Sequence, residues 1–160
     1  MSIYPIVKMG HPTLRKVASP VTPSDLDHPE MHTLIADMVE TLHDAGGIGL
    51  AAPQIDRPIQ LAIIEVPGGP SRYGDIESIP LTVFFNPVLT VLDPAEAGYW
   101  EGCLSVPGLR GFVHRPQHVR VDYMDITGKP ASLELKGFLA TVVQHEFDHL
   151  AGKLYVDHIR

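Results

Sequence analysis

The string His145-Glu146-Phe147-Asp148-His149, close to the end of the chain, limits the possible folds more than any other feature. Two imidazoles four residues apart stand on one face only when the backbone is helical. Phe138, Val142 and the apolar flank of Phe147 recur around the string at helical spacing. This predicts a final helix from about Gly137 to Leu150 with that side turned inward. The preceding residues must then supply a framework against which a late helix can pack.

That framework reads mostly as short strands. Pro5, Pro12, Pro20 and Pro23 predict an extended opening segment, because proline restricts the residue before it. Asp27 or His28 precedes Pro29, which suits a first helical position, and Met31, Leu34, Ile35, Met38 and Leu42 share one face. Gly46 and Gly47 end that helix. Ile59 to Val66 is an apolar run of strand length, followed by a Gly/Pro-rich loop from Pro67 to about Pro80. Leu81 to Phe85 and Val88 to Leu92 read as strands on either side of an Asn86-Pro87 break. Val119 to Ile126 and Ala131 to Leu135 flank Thr127-Gly128-Lys129-Pro130, a hairpin signal. Strands followed by a late helix predict an α+β fold, with mixed or antiparallel sheets packed around a central metal-binding helix. The 160 residues contain no repeat or linker, so one domain, residues 1–160, is the simplest organisation.

Composition narrows the partners. No apolar run is long enough to cross a bilayer as a helix. The N-terminal residues lack the charged and hydrophobic pattern of a secretory signal, so the expected location is cytoplasmic. A formal charge of −7 argues against binding nucleic acid through phosphate neutralisation. Arg110, Arg115 and Arg120 lie near one another in sequence, but ordinary structural or surface charge accounts for them.

The helical string itself points to metal chemistry. His145 and His149 can share a cation, while Glu146 can stand beside it as a general base acting on water. A catalytic site needs a third protein ligand and an open position. Gly152 fits a longer zinc-protease pattern, but Tyr155 stands where that pattern has another histidine, and His158 is out of register. The third ligand must come from upstream. Cys103, the chain's one cysteine, can be a buried small side chain, a reactive thiol or a metal ligand. Cysteine with two histidines is a known catalytic set for zinc, and its softness also admits ferrous iron.

Three blocks, Gly47 to Gln54, Glu101 to Ser105 and Gln144 to His149, resemble those of the peptide deformylases in order and separation. The opening Gly10-His11-Pro12-x-Leu14-Arg15 is similar to that family's N-terminal strand. The resemblance implies a hydrolase that removes the formyl group from the starting methionine of new polypeptides. It assigns Cys103, His145 and His149 to the metal and Glu146 to acid–base catalysis. Gln54 and the backbone N–H of Leu104 would polarise the formyl oxygen. The backbone of Gly47, Ile48 and Gly49 would pair with an extended peptide, and Arg110 would face it. Ile48, Tyr99, Phe138 and Val142 could take the methionine side chain, although each also suits a core, the preferred place for Phe138. Glu101 and Arg115 could form an ion pair that fixes the Cys103 loop. Ferrous iron is the implied metal, with zinc, nickel or cobalt as substitutes. Formyl-methionine peptides or nascent chains are the implied partners. Bacterial members carry a further C-terminal helix beyond the metal helix, whereas this sequence stops at Arg160, which leaves ribosome contact open.

Two other functions use the same residues. A zinc endopeptidase shares the His-Glu-x-x-His helix but lacks the extra histidine at Tyr155. A structural metal module would need a fourth ligand, Asp148 or Ser105, and would leave Glu146 and Gln54 idle.

Overall fold

A computed structural model describes residues 2–71 and 74–159. Its first helix, α1, spans Pro29–Ala45. His28 precedes it in extended conformation, Pro29 opens it, and Gly46 closes it at φ 67°, a left-handed position that glycine takes without a Cβ clash. The strands are β1 (Gly49–Ala51), β2 (Leu61–Val66), β3 (Gly69–Ser71), β4 (Gly74–Ile76), β5 (Ile79–Cys103), β6 (Val106–Met124) and β7 (Pro130–Lys136). The second helix, α2 (Phe138–Leu150), carries the His-Glu-x-x-His string.

All pairings between these strands are antiparallel. One sheet of five strands runs β1-β2-β5-β6-β7, and β3 with β4 forms a separate hairpin. The architecture is therefore α+β. Strand β2 is covered on both faces, which explains its nearly unbroken apolar run. Leu61 and Ile63 pack in the core shared with Leu34, Ile35, Met38 and Leu42 of α1. Ile64 and Val66 pack in the core shared with Leu139, Ala140, Val142 and Val143 of α2. Helix α2 lies against β1, β2, β5, β6 and β7, and so occupies a central place behind the sheet. None of the helices is long and apolar enough, among the described residues, to cross a membrane.

Several local expectations change. The opening segment contains two 3-10 turns, Pro12–Arg15 and Pro23–Asp27; the first is capped by His11 rather than continuing a strand. The expected loop from Pro67 to Pro80 holds the β3–β4 hairpin, with Arg72 and Tyr73 outside the described residues. No break separates the two strands around Asn86 and Pro87. Asn86 takes φ 49° at a register shift between Phe85 and Val88, and its side chain bonds the Val21 N–H at 2.8 Å and the Val21 carbonyl at 2.6 Å. A bulge absorbs the proline while β5 continues. Strand β6 also begins much earlier than Val119, pairing with β5 in a long arm that ends at the Cys103↔Val106 pair.

Candidate metal centre and active site

The end of β5 meets the middle of α2. Cys103 closes β5, while His145 and His149 stand one helical turn apart on α2. Their donor atoms all lie within 4.8 Å of one another, with Cys103 Sγ 3.5 Å from His149 Nε2. The imidazole rings are nearly perpendicular, at 77°, so their nitrogens can approach one centre from different directions.

Of the two imidazoles, His145 is held from behind, while the buried Nδ1 of His149 has no hydrogen-bond partner among the described residues. His145 Nδ1 bonds Glu101 Oε1 at 2.8 Å, which leaves Nε2 for the shared centre. Arg115 donates to both Glu101 oxygens, at 2.8 and 3.0 Å, and to Asp148 at 2.9 Å. Asp148 also accepts a hydrogen bond from His158 Nε2 at 2.8 Å, and it is not among the three converging donors. Burial raises the cost of a charge on Glu101, yet His145 and Arg115 outweigh it and hold the carboxyl below its ordinary range. The expected Glu101–Arg115 pair is thus buried and bidentate.

The protein groups by themselves tune the two histidines oppositely. Burial pushes His149 down to about 3, keeping it neutral, the form that ligates. Burial also opposes charge on His145, but hydrogen bonds toward Cys103 and Glu101 prevail and raise it to about 10. A divalent cation at the same three atoms would replace that proton. The donor set fits such an ion: one thiol and two imidazoles suit a borderline transition metal. An unsatisfied group fits as well, since Glu146 Oε1 is buried without a hydrogen-bond partner among the described residues.

Glu146 lines the cleft and is not one of the three converging donors. Burial, ahead of every other influence, lifts its pKa to about 7. Gly49 makes its position possible: a Cβ there would stand 2.5 Å from Glu146 Oε2. Gln54 is fixed at both ends of its amide. Its oxygen accepts from the Ala51 N–H at 2.9 Å, and its nitrogen donates to Ser105 Oγ at 3.2 Å and lies 3.7 Å from Cys103 Sγ. Ser105, considered from sequence only as a fourth ligand, instead orients Gln54 and accepts the Met9 N–H at its carbonyl.

A cleft of about 960 Å³ opens over these groups. Gly47, Ile48, Gly49 and Gln54 line one side, with Tyr99, Cys103, Leu104 and Arg110 on the β5–β6 arm, and Val142, His145 and Glu146 on α2. His149 lies beneath, 1 % exposed. Phe138, expected in the core, packs against it and also lines the cleft, with an edge contact to Tyr99 at 5.7 Å. Sequence reasoning missed Thr141 and the passage from the end of β2 into β3, where Val66, Pro67, Gly68 and Pro70 reach the cleft. Helical spacing from Val142 and His145 offered a signal for Thr141; nothing comparable marked that passage. Strand β1 is the outer strand of its sheet, bonded only to β2 among the described strands. Glu65 N–H holds the Ile48 carbonyl from that side.

Comparison with known proteins places the chain. A family model described as polypeptide deformylase matches residues 3–160. Peptide deformylase 2 of Pseudomonas syringae pv. tomato is 48 % identical over 154 residues, covering 96 % of this chain and 86 % of that protein. Peptide deformylase 1 of Bordetella pertussis is 48 % identical over 158 residues, covering 99 % and 88 %. A class I type b peptide deformylase from Acinetobacter baumannii, solved with Met-Ala-Ser bound, superimposes with a TM-score of 0.92 at 35 % identity, covering 99 % of this chain and 100 % of that one. Sequence and fold agree over essentially the whole length, and the chain belongs to the polypeptide deformylase family.

Proposed function

We infer that this protein removes the N-formyl group from the terminal methionine of polypeptides, releasing formate, as a single metal-hydrolase domain over residues 1–160. The observation that carries this function is the convergence of Cys103, His145 and His149 within 4.8 Å, next in sequence to Glu146, whose buried Oε1 has no hydrogen-bond partner among the described residues. Held by those three side chains, a divalent cation supplies Lewis acidity, making water acidic near neutrality and polarising a carbonyl. Iron(II) is the metal proposed for the cell, with zinc, nickel or cobalt as working substitutes; one soft sulfur among two nitrogens supports that range.

The chain's own groups do the rest. Glu146, with a pKa lifted to about 7, can take a proton from water and return it to the departing amine. Gln54 offers an N–H to the oxygen that gains charge, because its own carbonyl is tied to Ala51. The backbone N–H of Leu104 is the second proposed donor. The outer edge of β1, with Gly47 to Gly49, is proposed to receive the peptide as an added strand. Ile48, Tyr99 and Val142, with Phe138, are proposed to enclose the methionine side chain, and Arg110 to face the following residues. A cytoplasmic setting and formylated nascent chains or free formyl-peptides follow from this substrate.

The test is anaerobic loading with iron or zinc, followed by formate measurement on formyl-Met-Ala-Ser. Formate should appear with the wild type and vanish with Cys103→Ala or Glu146→Ala. No formate with either metal would overturn the assignment. Cleavage inside an unblocked peptide would favour the endopeptidase, a function that neither the family nor these relatives support.

A further inference from the structure

Tyr155 stands where a longer zinc-protease pattern has a histidine, and its side chain is among the most deeply buried in the molecule, at 1 % exposed. It opens a short 3-10 helix after α2 and packs with Val106, Val113 and Leu154. Two contacts leave it in different directions. The ring lies nearly parallel to that of His145, at 22° with centroids 5.9 Å apart. The hydroxyl donates to the Leu109 carbonyl at 3.1 Å.

Leu109 belongs to the stretch where β6 leaves its ladder: pairing jumps from Glu101↔Gly111 to Cys103↔Val106. Gly108, Leu109 and Arg110 of that stretch line the cleft. The backbone at Gly111 lies close against the tyrosine, since a Cβ there would be 3.2 Å from Tyr155 Cε2. Phenylalanine would fill the same space. A buried hydroxyl costs free energy unless bonded, and this one is bonded to the cleft wall.

We propose that Tyr155 is a positioning residue that fixes the Leu109–Arg110 wall of the substrate cleft relative to the His145 ring. This deepens the deformylase function proposed above and depends on it for its substrate. Ring and hydroxyl have separable tasks: the ring packs behind a metal ligand, and the hydroxyl sets the distance from that ligand to the wall the peptide lies against.

Tyr155→Phe keeps the ring and removes the tie. KM for formyl-Met-Ala-Ser should rise about fivefold, the loss of one hydrogen bond, with kcat nearly unchanged. The cobalt(II) absorption spectrum and the rate of metal loss to a chelator should match the wild type. Tyr155→Leu removes both contacts and should also speed metal loss. Calorimetric binding of the tripeptide Met-Ala-Ser reads the same tie without turnover. A wild type that releases no formate would defeat the deformylase function, yet weaker tripeptide binding by Tyr155→Phe would still support the positioning role. Unchanged KM and unchanged tripeptide affinity in Tyr155→Phe would overturn it. So would a cobalt spectrum as altered in Tyr155→Phe as in Tyr155→Leu, which would reduce Tyr155 to general packing.

Discussion

Gly49 and Glu146 make sense only together. The carboxylate occupies space that any other residue at position 49 would claim, because an added Cβ would come 2.5 Å from Oε2. Gly49→Ala should therefore push Glu146 off its position and lower kcat by about 100-fold, while helical content stays unchanged by circular dichroism. Retained activity in that variant would mean that the close approach has no catalytic importance. Glu146 also makes a stability prediction. In the folded chain it keeps its proton up to about pH 7, whereas its ordinary value is 4.5. Between those values the folded state binds more protons than the unfolded one, so stability falls as pH rises through that window. The loss reaches about 3 kcal/mol above pH 7. With cations chelated, Glu146→Gln should match the wild type's Tm near pH 4.5 and exceed it at pH 8 by calorimetry. An equal difference at both pH values would refute the linkage.

Arg115 of β6 joins three elements through one guanidinium, bonding Glu101 of β5 and Asp148 of α2. Arg115→Met would leave the buried Glu101 carboxylate without its guanidinium counter-ion and should cost about 3–5 kcal/mol by urea unfolding. It should also loosen metal binding, because Glu101 holds the back of His145. A loss below about 1 kcal/mol would show that the network is not structural. The helices were legible in sequence because their ends carry local signals: Pro29 and Gly46 bound α1, and periodic apolar residues mark α2. The β5–β6 arm was not. Pro94, Pro107 and Pro116 with Gly98, Gly102 and Gly108 interrupt any strand-like apolar alternation there, yet register shifts at Val91/Asp93, Asp93/Glu96 and Glu101/Cys103 let the strands run on past several of them. Pairing between strands far apart in sequence decides such residues, and local propensity does not report it.

Across the molecule, the three donors bind the sheet to its central helix. Cys103 sits at the end of β5 and the histidines on α2, so a cation that binds only the folded chain should raise its stability by about 4 kcal/mol at a thousandfold excess over Kd. Chelation should lower Tm in the wild type and leave His149→Ala unaffected; an equal shift in both would place the stabilising ion elsewhere. Spacing along the last helix singled out His145, Glu146 and His149, and the family resemblance added Cys103. Ser105 as the holder of Gln54 and the link from Arg115 through Asp148 to His158 could not be found that way, because they depend on how the arm folds over α2. The outer margin of β1 has a broader consequence. If an incoming chain docks there, it is gripped by amide and carbonyl groups common to every polypeptide. Such a grip is indifferent to most of what a genome encodes, leaving the apolar recess beside Ile48 to demand methionine at the first position and little to restrict those that follow.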